Sequence, residues 1–345
     1  MKNPKPILGI TMGDPASIGP EVGVKAVSDQ SIYEVCRPLL VGDAKVFQDA
    51  VHFCRLPLKI NPIKAVEEAK FEYGIIDVYD LNNVDFSELR KGEMSAMAGE
   101  VAFNTVVKTI ELAMNGEIQG TVTGPINKES IHMAGHKFSG HTEIYAHYTN
   151  TKKYAMLLVE EDLRVIHVST HVSLREACDL VKKDRILDTI ELMDAACQQL
   201  DIENPRIGVA GLNPQASDGG LFGDEERLEI IPAIEEARKR GFDVEGPVPG
   251  DTLFPKAIGG IYDGCVVMYH DQGHIPFKIV GFVLDKETKK MKSVRGVNIT
   301  LGLPIVRTSV DHGTAMEIAG QGIASHDAMM LAIKYAARLV GKQSI

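Results

Sequence analysis

The segments YHDQGHIPFK (269–278) and RGVNITLGLPIVRTSVDHGTA (295–315) place His270, Asp271, His274, Lys278, Asn298, Arg307, Asp311 and His312 within about forty residues of chain. So many ionisable side chains cannot form a packed core, because burying an unpaired charge is costly. Imidazoles and carboxylates can hold a divalent ion and move protons. An Arg and a Lys can grip a small phosphate or carboxylate, the Arg through its bidentate fork and the Lys as a point charge. Interleaved glycines and prolines predict loops at strand ends. The combination predicts an enzyme that acts on a small anion and uses a metal.

His171 and His270 are the best metal candidates, since each follows an apolar strand where a neutral imidazole can offer a lone pair. A strand-end histidine taken alone is more often structural. His167 and His171 are four apart, but in a strand-to-loop segment this is not the helical pair of a zinc protease. His167 therefore reads as a core residue and His274 as a supporting one. In GHTE, Thr142 could simply cap a helix. The functional alternative has His141 and Thr142 binding polar substrate groups at a helix N-terminus.

These residues need strands to aim them. ILGI, PLLVG, IIDVY, TVTG, AMLLVE, RVIHVS, RIGVAG and CVVMYH are near-continuous apolar runs alternating with helical stretches, which predicts an α/β fold with a largely parallel sheet. Polar clusters follow the runs: TMGDP, TGPINK, THVSLR, NPQASDGG and HDQGH, where ligands of such sheets bind. Helices are predicted near 20–28, over DAKVFQDAVHFC, and over 96–115 with Val101, Thr105, Ile110, Ala113 and Met114 on one face. Residues 283–295 read as a charged hairpin. With no long linker and no internal repeat, residues 1–345 read as one catalytic unit of two interleaved α/β lobes.

The chain has 345 residues, 44% apolar and 24% charged, and a formal net charge of −10. An acidic chain of this kind is no general phosphate-backbone binder, so no nucleic-acid partner is expected. No apolar run is long enough for a membrane span, and the N-terminus lacks a signal-peptide core. The five cysteines are widely spaced without C-x-x-C, as in reduced thiols of a cytoplasmic protein. The G-x-G-x-x-G, Walker and G-x-S-x-G motifs are absent, which leaves little room for a nucleotide kinase or serine hydrolase and still allows NAD bound by another fold.

TMGDPASIGPE, TGPINKESIHMAGHKFSGHTE, STHVSLRE, GLNPQASDGG, GPVPGDTLF, YHDQGHIPFK and RGVNITLGLPIVRTSVDHGTA together resemble the PdxA family, the 4-hydroxythreonine-4-phosphate dehydrogenases and their sugar-acid-phosphate paralogues. The resemblance runs from about residue 6 to 338. It implies an isocitrate/isopropylmalate dehydrogenase-like fold with two α/β lobes and a cleft between them. It also implies NAD, a divalent metal (Mg, Mn, Co or Zn), and a homodimer with the active site near the subunit interface.

By motif, the family's metal ligands fall on His171, Gln215 and His270, and its substrate contacts on His141, Thr142, Lys278, Asn298 and Arg307. The stretch GLP to DHGTA, with Gly302, Asp311, His312 and Gly313, resembles the loop that holds the NAD adenosine in related dehydrogenases. Two positions depart from the pattern. Gln215 replaces a histidine, and a harder oxygen donor suits Mg²⁺ or Mn²⁺ better than Zn²⁺. Ser17 replaces a glycine in the first turn.

HVSTHVSLR and YHDQGHIPFKIVGF look closer to the paralogous branch that acts on D-threonate or D-erythronate 4-phosphate. The implied reaction is NAD- and metal-dependent oxidative decarboxylation of a phosphorylated four-carbon 3-hydroxy acid to dihydroxyacetone phosphate and CO₂. Asp251, Asp271 and His141 are the candidate bases. The alternatives are the 4-hydroxy-L-threonine 4-phosphate reaction of pyridoxal phosphate biosynthesis, a phosphate acyltransferase-like enzyme, and a non-catalytic binding paralogue.

Overall fold

Apolar β-branched runs become strands wherever the sequence predicts them. In the computed structural model, which describes residues 4–287 and 291–343, the chain forms two compact units: residues 1–151 with 303–345, and residues 152–302. The first unit contributes β1 (Ile7–Thr11), β2 (Arg37–Gly42), β3 (Lys59–Ile63), β4 (Ile75–Asp80) and β5 (Gly120–Thr123). The second holds β6 (Ala155–Glu160), β7 (Leu163–His167), β8 (Ile207–Ala210), β9 (Val244–Val248), β10 (Gly264–Val267), β11 (Phe282–Leu284), β12 (Met291–Val294) and β13 (Val297–Leu301). The chain then returns to the first unit as β14 (Val306–Val310).

In the first unit the strand order is β3-β4-β2-β1-β5-β14, with every pairing parallel. In the second it is β13-β6-β7-β10-β8-β9, where β6 runs antiparallel to both neighbours and the other pairings are parallel. Strands buried on both faces explain the lack of alternation: β1, β5, β6, β8, β10 and β14 are buried at every position. Each unit has its own core, with Leu39, Val106, Ile110 and Tyr145 in the first and Leu158, Val165, Phe254 and Phe277 in the second.

The helices follow from local chemistry. Asp43 caps Ala44–Phe53 by accepting from Lys45 N, and Ser95 caps Ala96–Met114 by accepting from Ala98 N. The latter buries Val101, Thr105, Ile110 and Ala113 as its spacing predicts. Met114 is the exception: it is 49% exposed, because the last helical position has run past the core.

A larger departure concerns HDQGHIPFK, which is helical and not a loop: His270–Gly281 is one helix with Gly273 and Pro276 inside it. The strands Phe282–Leu284 (β11) and Met291–Val294 (β12) pair antiparallel, in line with the hairpin expected over 283–295, of which residues 288–290 lie outside the described residues. All five cysteines are free thiols; Cys36, Cys197 and Cys265 are buried, Cys54 and Cys178 partly so. No described helix is long and apolar enough to cross a membrane.

Candidate active site

In the first unit the loops after β1, β5 and β14 meet. Asp14 N donates to Pro125 O (2.9 Å), Gly124 N to Thr11 Oγ1 (3.0 Å), and Ile18 N to Thr314 O (3.2 Å). Ser17, where the family pattern has glycine, is absorbed without strain: its hydroxyl donates to Asp14 O (2.7 Å) and accepts from Gly19 N (2.9 Å). Asp14 is fully buried, and burial raises its carboxyl from 3.8 to about 6 against the hydrogen bond from Ala16 N.

Arg307 lies on β14 and is only 2% exposed. Its Nη2 donates to Thr123 Oγ1 on β5 (2.7 Å), and the guanidinium stands 5.6 Å from the Tyr145 ring centre, within cation–π range. Burial lowers its pKa to about 10, which still leaves it protonated at neutral pH. A buried guanidinium is stable only beside acceptors or negative charge. An entering phosphate or carboxylate would supply both through a bidentate pair of bonds.

His141 opens the helix His141–Tyr148. Burial, then Arg307 and Lys128, hold its pKa well below 6.5, so the ring stays neutral; its Nε2 is shut from solvent and makes no hydrogen bond among the described residues. Gly140, not Thr142, is the cap residue, so the capping account of Thr142 does not apply. Thr142 sits in the first turn beside His141, where helix N–H groups favour anions.

In the second unit, imidazoles form a column. His171 and His270 ring centres are 5.7 Å apart, His270 and His274 stack at 3.6 Å and 8°, and His274 meets His167 at 4.8 Å. His270 Nδ1 lies 2.7 Å from Asp271 Oδ1, an arrangement that orients the ring and leaves Nε2 for a ligand. His274 Nδ1 bonds the His270 carbonyl (3.0 Å). His167 is fully buried, as the sequence predicts, and bonds Met156 O through Nδ1 (3.3 Å). The bare Cα of Gly273 makes room for it, since a Cβ there would lie 2.5 Å from His167 Nε2.

His171 and His270 line a cavity of about 590 Å³ together with Thr170, Ser173, Tyr269 and Asp271. Gln215 and Asp251 line an adjoining one of about 670 Å³, which also contains Tyr269 and Asp271. The two histidines therefore lie together, while Gln215 reaches a neighbouring hollow. No group of three His, Cys, Asp or Glu side chains suited to a metal occurs among the described residues. Two imidazoles, one already oriented by a carboxylate, still fit a divalent ion that takes its remaining donors from oxygen.

Lys278 lies two helical turns beyond His270 on the same helix face, its ammonium 4.3 Å from the Phe282 ring centre. Asn298 is on β13 in the second unit, with its Oδ1 buried and unbonded among the described residues. The dinucleotide candidates divide. Asp311, His312 and Gly313 belong to the loop after β14 that is bonded to the β1 turn. Gly302 is explained by packing: its φ is +86°, and a Cβ there would lie 2.1 Å from Lys153 O.

Residues that the sequence reading missed include Tyr145, Asp14 and Glu226. Tyr145 stands one helical turn after His141, a spacing that could have flagged it. Glu226, buried beneath the Gln215 loop, carries no sequence signal.

The sequence profile described as "Pyridoxal phosphate biosynthetic protein PdxA" matches residues 34–336. A D-threonate 4-phosphate dehydrogenase of Cupriavidus necator is 45% identical over 340 residues, covering 98% of each chain. Among solved structures, a 4-hydroxythreonine-4-phosphate dehydrogenase from Burkholderia phymatum shares 44% identity with a TM-score of 0.80, covering 98% of this chain and 99% of that one. One of the same name from Klebsiella pneumoniae shares 40% identity with a TM-score of 0.84, covering 97% and 100%. The family match covers residues 34–336 and the relatives cover 97–98% of the chain, so the protein belongs to the PdxA family of dehydrogenases.

Proposed function

We propose that this dehydrogenase carries out NAD-dependent oxidative decarboxylation of a phosphorylated four-carbon 3-hydroxy acid, D-threonate or D-erythronate 4-phosphate, to dihydroxyacetone phosphate and CO₂. The observation that carries this reading is Arg307: a protonated guanidinium, nearly shut from water, beside a neutral His141 whose Nε2 makes no hydrogen bond. Such a pocket suits an anion with several acceptor oxygens, added to the Glu143 carboxylate that already favours the charged guanidinium. The 45% identity to a D-threonate 4-phosphate dehydrogenase over 98% of both chains supports the four-carbon acid.

A divalent ion held by His171 and His270, with Gln215 as an oxygen donor, would supply Lewis-acid polarisation of the substrate hydroxyl and carboxylate, and NAD⁺ would accept the hydride. The chain's own groups do the rest. In the first unit Arg307 would bind phosphate, with His141 and Thr142 beside it to orient the carbon chain; in the second, Lys278 and Asn298 carry the remaining substrate contacts that the family pattern gives. Asp271 keeps the His270 ring in place. Of the three candidate bases, Asp271 is already engaged with His270 and burial makes His141 a weak base. Asp251 is exposed in the cavity that Gln215 lines, and is left to take the hydroxyl proton. Oxidation at C3 gives a β-keto acid; cleavage of its C1–C2 bond releases CO₂ and leaves an enolate, which takes a proton at C2 to give dihydroxyacetone phosphate.

The loop Asp311–His312–Gly313 is assigned to the dinucleotide. Exposed apolar side chains of the second unit (Ile275, Ile279, Leu284, Leu221 and Phe222) suit the interface of a homodimer. A specific observation favours the second reading, the 4-hydroxy-L-threonine 4-phosphate reaction: the solved structures at 40–44% identity are of 4-hydroxythreonine-4-phosphate dehydrogenases.

Comparing kcat/KM for NADH formation from the two sugar-acid phosphates, the amino-acid phosphate and unphosphorylated D-threonate separates these possibilities. The proposal expects a sugar-acid phosphate to lead by about tenfold or more, and loss of phosphate to cost about 100-fold or more. Preference for the amino-acid phosphate would transfer the assignment to the second reading.

A further inference from the structure

The loop carrying Gln215 adopts a backbone that its sequence does not favour. Gln215, Ala216, Ser217, Asp218 and Gly219 have φ of 54°, 51°, 72°, 45° and 72° in succession, and four of the five bear side chains. L-residues visit the left-handed region singly, so a run of them persists only where its surroundings over-determine it.

Those surroundings centre on Glu226, which is 2% exposed. Its Oε1 accepts from Leu212 N (2.8 Å) and Asn213 N (2.7 Å), and its Oε2 from Asn213 Nδ2 (2.8 Å). Asn213 Nδ2 also donates to Glu225 Oε2 (2.7 Å), and Ala216 N donates back to Asn213 O (3.1 Å). Ser217 Oγ closes the far side on Gly223 O (2.6 Å). Gly211 admits Ala216, since a Cβ there would lie 2.8 Å from the Ala216 Cα. Gln272 then ties the loop's root to the helix bearing His270: its Nε2 donates to Gly211 O (2.7 Å) and its Oε1 accepts from Met268 N (2.7 Å).

We infer that Glu226 is a positioning residue for Gln215: its buried carboxylate imposes the left-handed turn that presents the Gln215 amide as a fixed oxygen donor. The inference rests on the reading of Gln215 as a donor to a divalent ion. A flexible amide binds weakly unless its backbone is ordered beforehand, and a held turn removes that ordering cost.

The test compares wild type, Glu226→Gln, and Glu226→Gln combined with Ala216→Gly, by amide hydrogen exchange over 212–222 and by Mn²⁺ affinity. In Glu226→Gln, exchange in that segment should rise about tenfold while β8 stays protected, and Mn²⁺ affinity should fall about 10- to 100-fold. The added glycine enters the left-handed region freely and should recover most of the affinity, a rescue that a purely structural role would not give. Asn213→Ala leaves the carboxylate its two backbone donors, and should act in the same direction more weakly even if Glu226→Gln folds poorly. Unchanged segment exchange, or unchanged Mn²⁺ affinity in Glu226→Gln, overturns the role given to Glu226. A wild type that binds no Mn²⁺ overturns the Gln215 reading itself, and the role of Glu226 with it.

Discussion

Arg307 draws its importance from where it sits. On the surface its guanidinium would be one cation among many. On β14, beside Thr123 and Tyr145, its fork is aimed and its charge is barely screened. Arg307→Lys keeps the charge and loses the fork, so kcat/KM for the phosphorylated substrate should fall about 100-fold, equivalent to about 2.7 kcal/mol, chiefly through KM. Steady-state kinetics at saturating NAD⁺ measure it. Asp14 offers a test by pH. Its folded pKa of about 6 exceeds the ordinary 3.8, so its contribution is complete below 3.8 and is lost as pH rises through 6. At pH 8 the ionised carboxylate costs the fold up to about 3 kcal/mol. Asp14→Asn keeps the acceptor for Ala16 N and should raise Tm at pH 8 but not at pH 4, as thermal denaturation at both values would show.

The helix His270–Gly281 explains much of what was and was not legible in the sequence. Read as helix, His270, His274 and Lys278 recur every four residues and form one face. Gly273 and Pro276 hide that periodicity, because both are helix-breaking by propensity. Only the packed structure shows that Gly273 is there for the His167 ring. The strands were legible because burial on both faces leaves continuous apolar runs. The left-handed turn after Pro214 was not, because four of its five residues are not glycine and the force holding it comes from Glu226, eleven residues beyond Gln215.

The histidine column makes a prediction of its own. Burial lowers His167 to about 3 and His274 to about 4, against an ordinary 6.5. Their stabilisation is present above pH 6.5 and is lost as pH falls toward 4 and then 3, at about 1.4 kcal/mol per pH unit for each ring. Urea midpoints of metal-free protein should therefore drop from pH 7 to pH 5, and drop less in His274→Leu.

At the scale of the whole molecule, each unit gathers chemistry at the carboxyl ends of its parallel strands: Thr123 and the β1 turn in one, with Arg307 reaching Thr123 from near the start of β14, and the imidazole column and the Gln215 loop in the other. A net charge of −10 with a buried guanidinium at Arg307 suits a small anionic substrate rather than a polyanion. Family membership makes the protein a dehydrogenase. The central claim is that oxidation of a phosphorylated four-carbon acid is coupled to loss of its carboxylate with help from a divalent ion. Incubation of the chelator-stripped enzyme with NAD⁺ and D-threonate or D-erythronate 4-phosphate, with and without Mn²⁺, tests it directly when NADH, CO₂ and dihydroxyacetone phosphate are all quantified. The account predicts equimolar formation of the three only with the metal; NADH without CO₂, or full turnover in the stripped enzyme, would contradict it.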